Sequence, residues 1–136
     1  MTLTPHEKQL VTDSFLVAVH DTDRLTHIFY DRLFETLPAA REMFRKTNMQ
    51  AQGIALTRML DRLVEGANNP DLIQAEMTEL AKRHSRYGVN LEHYPQFGEA
   101  LLWTFEQILE NKFTFETRLA WQKAYQLFVD AVGVTG

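Results

Sequence analysis

The sequence predicts an all-α domain of about seven helices, on three observations. Apolar residues recur at three- and four-residue spacing along nearly the whole chain. No two alternating apolar runs are joined by a hairpin signal. Prolines and small polar residues stand where helices should begin or end. With 136 residues and 45% apolar content, the chain can bury a substantial core, and we expect one domain over residues 1–136.

The N-terminal half predicts four helices. TPHE at residues 4–7 is a capping-box start, and the helix that it opens should reach about residue 20. A second helix should span 21–37, ended by a proline, and 38–44 predicts a short third. The fourth should run over about 48–67. The stripes of the second and fourth helices consist of Leu25, Ile28, Phe29, Leu33, Phe34 and Leu37, and of Leu56, Met59, Leu60, Leu63 and Val64.

The C-terminal half predicts three more helices after the break at Asn68-Asn69-Pro70. The first should end near Tyr87-Gly88, and the last two should be the longest. Trp103 and Trp121 lie on or beside core stripes and should be structural. The three stripes consist of Ile73, Met77, Leu80 and Ala81; of Tyr94, Phe97, Leu101, Leu102, Phe105, Ile108 and Leu109; and of Leu119, Trp121, Tyr125, Phe128, Val129 and Val132.

Composition excludes several classes of function. The 14 basic and 18 acidic residues give a net charge of −4 without a basic stripe, which disfavours nucleic-acid and anionic-membrane partners. The absence of cysteine excludes disulfides and thiolate chemistry. No apolar run approaches the ~20 residues that span a bilayer, and the N-terminus lacks a signal-peptide core, so we expect a cytoplasmic protein. Neither a Gly-rich phosphate loop nor a His-Glu-x-x-His run occurs.

Three polar residues interrupt apolar helix faces. Tyr30 precedes Leu33 and Phe34, Gln52 precedes Leu56 by one turn, and His84 closes its helix four residues after Leu80. Each has an ordinary explanation: a tyrosine anchored on a carbonyl, a first-turn glutamine half in water, or a histidine at a helix C-terminus. The alternative is that all three line one ligand cavity, because a buried polar tip without a partner costs on the order of 1–3 kcal/mol.

The order and spacing of these residues resemble the globins, and most of all the bacterial single-domain globins and the globin domain of flavohaemoglobins. The matching segments are REMF, MQAQGIALTRML, LAKRHSRYGV, HYPQFGEALLW and LAWQKAYQLF, which together span nearly the whole chain. The resemblance implies a three-over-three helical sandwich around haem b (iron protoporphyrin IX). Because Gln52 follows Phe44 by eight residues, the small extra helix that other globins carry after the short third helix should be missing.

The resemblance also implies roles for individual residues. His84 becomes the proximal iron ligand, and Tyr30 and Gln52 become the distal donors that stabilise a ligand; Gln50 competes with Gln52 if the register is shifted. A single axial histidine leaves one iron position open. The residues expected to contact the haem are Phe44, Leu56, Arg83, Tyr87, Val89, Tyr94 and Phe97. Flavohaemoglobin-like globins add a late glutamate near the tyrosine that resembles Tyr94, and this chain ends DAVGVTG with no matching carboxylate.

The first functional hypothesis is reversible binding of O₂, and also of CO and NO, for oxygen storage or transport. The second is NO dioxygenation to nitrate, which needs a separate reductase because 136 residues leave no room for a flavin or nicotinamide domain. The third is a ligand sensor, for which the sequence offers no output domain. A helical interaction protein without haem is the remaining alternative.

Overall fold

The computed structural model describes residues 3–69 and 94–133, with side chains described as far as residue 130. These residues form α-helices and no strand, so the all-α prediction is confirmed for them. The predicted helix that ends near residue 88 lies outside the described residues. Within the described part, no helix is both long and apolar enough to cross a membrane. The helices are α1 (Pro5–Ala18), α2 (Thr22–Thr36), α3 (Pro38–Met43), α4 (Met49–Asn68), α5 (Tyr94–Leu109) and α6 (Phe115–Gly133).

Local side chains begin the helices where the sequence predicts. The backbone N–H of Glu7 donates to the Thr4 hydroxyl at 3.2 Å, and the Thr4 N–H donates to the Glu7 carboxylate at 2.9 Å. Asn48 accepts from the first two free N–H groups it can reach in α4, at 3.0 and 3.2 Å. Each cap stabilises its helix by about 1 kcal/mol. Pro38 opens α3, and residues 44–48 form a turn, so the predicted lack of an extra helix is also confirmed.

The core forms where α2 packs on α5 and where α1 and α4 pack on α6. Trp121 of α6 is fully buried and stacks on Phe105 of α5, with ring centroids 4.2 Å apart. Its indole N–H donates to the Ser14 hydroxyl of α1 at 2.7 Å. This hydrogen bond satisfies the one polar atom of a large buried side chain and joins the first helix to the last.

Helices α2 and α4 cross at very close range. A Cβ placed on Gly53 of α4 would lie 2.5 Å from the Thr26 hydroxyl oxygen of α2, so no larger residue fits there without movement. The Thr26 hydroxyl also donates to the Thr22 carbonyl one turn earlier, at 2.7 Å. The crossing therefore fixes the two helices where Tyr30, one turn beyond Thr26, faces the residue before Gly53.

Two details of the predicted core stripes are wrong. Leu119 is 40% exposed, because the buried face of α6 is carried by Trp121, Ala124 and Phe128, and Leu119 lies about 200° around the helix from Trp121. Trp103 is 36% exposed and packs under the Arg32 guanidinium, whose carbon lies 4.3 Å from the ring centre. The side chain of Val132, the last residue of the predicted stripe, lies outside the described residues.

Candidate functional site

A hydrogen-bonded polar pair joins α2 to α4. The Gln52 amide nitrogen donates to the Tyr30 hydroxyl oxygen at 2.9 Å. Tyr30 is 5% exposed and Gln52 is half-buried, so both face inward, as their spacing predicts. Gln50, the alternative in a shifted register, is exposed. The structure thus brings together two of the three polar residues that the sequence singles out.

Apolar groups surround this pair. The Tyr30 ring has edge-to-face contacts with Phe29 and Phe44, at centroid distances of 4.9 and 5.3 Å, and a tilted contact with Phe34 at 5.9 Å. Leu56, one turn after Gln52, is buried. In such surroundings a hydrogen bond is stronger than in water, and an unpaired polar group is more costly.

The pair retains unused donors. Burial raises the pKa of Tyr30 to about 12, against the lowering effect of the hydrogen bond from Gln52. The phenol is therefore protonated at neutral pH. Because its oxygen accepts the bond from Gln52, the phenol hydrogen remains available, as does the second amide hydrogen of Gln52. The arrangement can donate two hydrogen bonds to a small guest beside it.

A second group of predicted residues lies at the start of α5. Tyr94 is buried, burial raises its pKa, and its ring centroid lies 6.2 Å from that of Phe97. The Tyr125 hydroxyl of α6 donates to the Tyr94 carbonyl at 2.6 Å, and a Cβ on Gly98 would lie 2.6 Å from the Tyr125 ring. Sequence analysis placed Tyr125 only in a core stripe. The pairing of a glycine on one helix with a tyrosine on the next is the signal that it missed.

The proximal half of the predicted site cannot be described. His84, Arg83, Tyr87 and Val89 all lie outside the described residues, so the iron ligand remains a prediction. Over residues 3–69 and 94–133, no three histidine or acidic side chains are grouped so as to hold a metal ion. The described side chains fit a haem site as its distal wall, since a buried donor pair there faces apolar and aromatic groups.

Comparison with known proteins identifies the family. The globin family profile matches residues 27–132. The chain belongs to the globin family. It is similar to flavohemoproteins from Rhizobium meliloti (28% identical, covering 94% of this chain and 32% of the relative), Bacillus subtilis (28%, 90% and 31%) and Xylella fastidiosa strain Temecula1 (30%, 90% and 31%). The chain therefore spans about a third of the length of these curated relatives.

The match confirms the predicted globin fold and the resemblance to the globin part of flavohaemoglobins. It also supports a haem cofactor for this globin. The matched range includes Tyr30 and Gln52, the two donors that the geometry places together.

Proposed function

We propose that this globin, acting as a single domain over residues 1–136, binds O₂ reversibly for storage or transport, and binds CO and NO at the same place. The supporting observation is the hydrogen bond from Gln52 to Tyr30 inside an aromatic pocket. Haem b, with its iron held by His84, would supply an open coordination position for a diatomic ligand. The protein's own contribution is to orient the ligand, to donate hydrogen bonds and to exclude water.

Tyr30 and Gln52 discriminate between ligands by charge. Both donate, so they favour a ligand that draws electron density and leave a nonpolar ligand such as CO almost unaffected. A hydrogen bond to a charged acceptor contributes about 1.5–3 kcal/mol, and a neutral one about 1 kcal/mol. Gln52 also holds the phenol oxygen in place, so the phenol hydrogen is directed before the ligand arrives.

Apolar packing around the donors serves a second purpose. Phe44 and Leu56, with the aromatic neighbours of Tyr30, keep water from competing for the same two hydrogens. By resemblance, these two residues would contact the haem from the distal side. The remaining proposed haem contacts are Arg83, Tyr87, Val89, Tyr94 and Phe97.

An absorption spectrum tests the proposal. Purified protein reconstituted with haem should show a Soret band and a five-coordinate ferrous spectrum that responds to O₂ and CO. His84→Ala should abolish the five-coordinate ferrous form, and the control His93→Ala should leave the spectrum nearly unchanged. Haem-reconstituted wild type without a Soret band, or identical spectra for His84→Ala and wild type, would contradict the proposed site.

NO dioxygenation is the second candidate, favoured by the similarity to flavohemoproteins. This chain covers only about a third of those relatives, so an electron donor would have to come from a separate reductase. Oxidation of oxygenated globin by NO is general to the family and does not discriminate. Repeated turnover of NO to nitrate with a reductase of the same organism would favour this candidate, and slow re-reduction would favour storage or transport.

A further inference from the structure

A groove of about 490 Å³ opens between α2 and the first turns of α4. The α2 wall is polar at its outer edge, where Asp23, His27 and Asp31 lie. The α4 wall is apolar: it contains Met49 and Ile54, and Ile54 is 55% exposed. No step proposed above uses this space.

The inner end of the groove is the distal tyrosine. Tyr30 lines the groove together with Phe34, although Tyr30 itself is 95% buried. The hydroxyl of the same side chain accepts the hydrogen bond from Gln52, which does not line the groove. Tyr30 therefore contacts the groove and the distal donor site at once, and only its ring and that of Phe34 separate the two.

The close crossing determines where α2 and α4 can part. Gly53 against Thr26 leaves no space between the helices at that point, and both residues line the groove. Beyond the crossing, the wall beside Tyr30 and Phe34 is formed by Met49, whose unbranched side chain adapts readily to a passing guest. A water molecule occupies about 30 Å³, so the groove is far larger than a diatomic gas.

We propose that this groove is the access route by which apolar diatomic ligands reach Tyr30, with Ile54 and Met49 forming an apolar antechamber. The inference rests on the proposed gas-binding function. A small apolar molecule gains by leaving water for the α4 wall, and movement of the Tyr30 or Phe34 ring then admits it to the donor pair. Passage beside Gln52 is the competing route.

The test fills the groove without touching the donor pair. Ile54→Trp places a large ring over the antechamber, and Ile54→Ala widens it. Leu16→Trp on α1 is the matched control, because Leu16 is 61% exposed and does not line the groove. Two measurements are made on each variant: the CO association rate after flash photolysis, and the shift of the Met49 methyl NMR signal under xenon pressure.

We expect CO association several-fold slower in Ile54→Trp, no slower in Ile54→Ala, and unchanged in Leu16→Trp. Xenon should shift the Met49 methyl signal in wild type and in Leu16→Trp, and the shift should be lost in Ile54→Trp. An unchanged association rate in Ile54→Trp, or no xenon shift in wild type, would overturn the access route. A missing Soret band would refute gas binding itself, so the two failures are distinguishable.

Discussion

Replacing Tyr30 by phenylalanine separates the role of the phenol hydroxyl in ligand binding from its role in stability. The substitution removes one oxygen atom and keeps the ring that packs on Phe29 and Phe44. Its structural cost is the hydrogen bond from Gln52, at 2.9 Å. Because Gln52 is half-buried, water can take over the abandoned amide hydrogen. We therefore expect the free energy of unfolding to fall by only about 1 kcal/mol.

The effect on ligand release should be larger. A donor to a ligand that gains negative charge contributes about 1.5–3 kcal/mol, and 1.4 kcal/mol corresponds to tenfold in rate or equilibrium. If Gln52 retains its own bond to the ligand, O₂ should dissociate from Tyr30→Phe about ten- to a hundredfold faster. CO dissociation should change by less than about threefold, because a ligand with little charge gains only a weak hydrogen bond.

The assay is stopped-flow displacement of O₂ by excess CO. Phe29→Leu is the control, since it disturbs the packing of the Tyr30 ring and leaves both donors in place. An O₂ dissociation rate within about twofold of wild type in Tyr30→Phe would refute the reasoning. Equal acceleration of O₂ and CO release would refute it as well, because loss of packing, and not loss of a hydrogen bond, would then explain the change.

Two further predictions concern the contacts that hold the helices in place. Ser14→Ala leaves the buried Trp121 indole N–H without its 2.7 Å acceptor, so urea denaturation should show a loss of about 2 kcal/mol; a loss below about 0.5 kcal/mol would contradict the expectation. Gly98→Ala forces a Cβ against the Tyr125 ring, which its own hydrogen bond prevents from retreating, so we expect about 1–2 kcal/mol of destabilisation despite the better helix propensity of alanine. Relief of that loss by a smaller residue at position 125 would confirm the cause, and a stabilised Gly98→Ala protein would contradict it.

The sequence predicted the helices well because their ends are set locally. Thr4 and Asn48 cap the helices that follow them, and Pro38 opens the next helix directly after Leu37, with no partner from elsewhere in the chain. The inward direction of Tyr30 and Gln52 followed from helical periodicity alone. Their contact followed only from the resemblance, since periodicity gives a residue's face and not its partner on another helix.

The features that the sequence could not predict are contacts between distant positions. Arg32 bonds the Glu99 carboxylate, with its shortest contact at 2.6 Å, and places its guanidinium over Trp103, which explains why that tryptophan stays near the surface. The close approach of Gly53 to Thr26 is of the same kind, because neither residue is unusual within its own helix. Such pairs depend on how two helices cross, and the pattern of either helix alone leaves that crossing open.

The tight crossing of α2 and α4 has a consequence for how such a site can be tuned. If Thr26 against Gly53 acts as a pivot, the four residues from Thr26 to Tyr30 form a lever arm of roughly 6 Å. A rotation of about 5° at the pivot then moves Tyr30 by about 0.5 Å, enough to turn a good hydrogen bond into a poor one. A substitution at Thr26, which does not touch the Tyr30 hydroxyl, can therefore change how firmly the donor pair grips a ligand. Affinity in this protein is set partly by the geometry of a helix crossing, and evolution can adjust it there without altering the chemical groups that face the ligand.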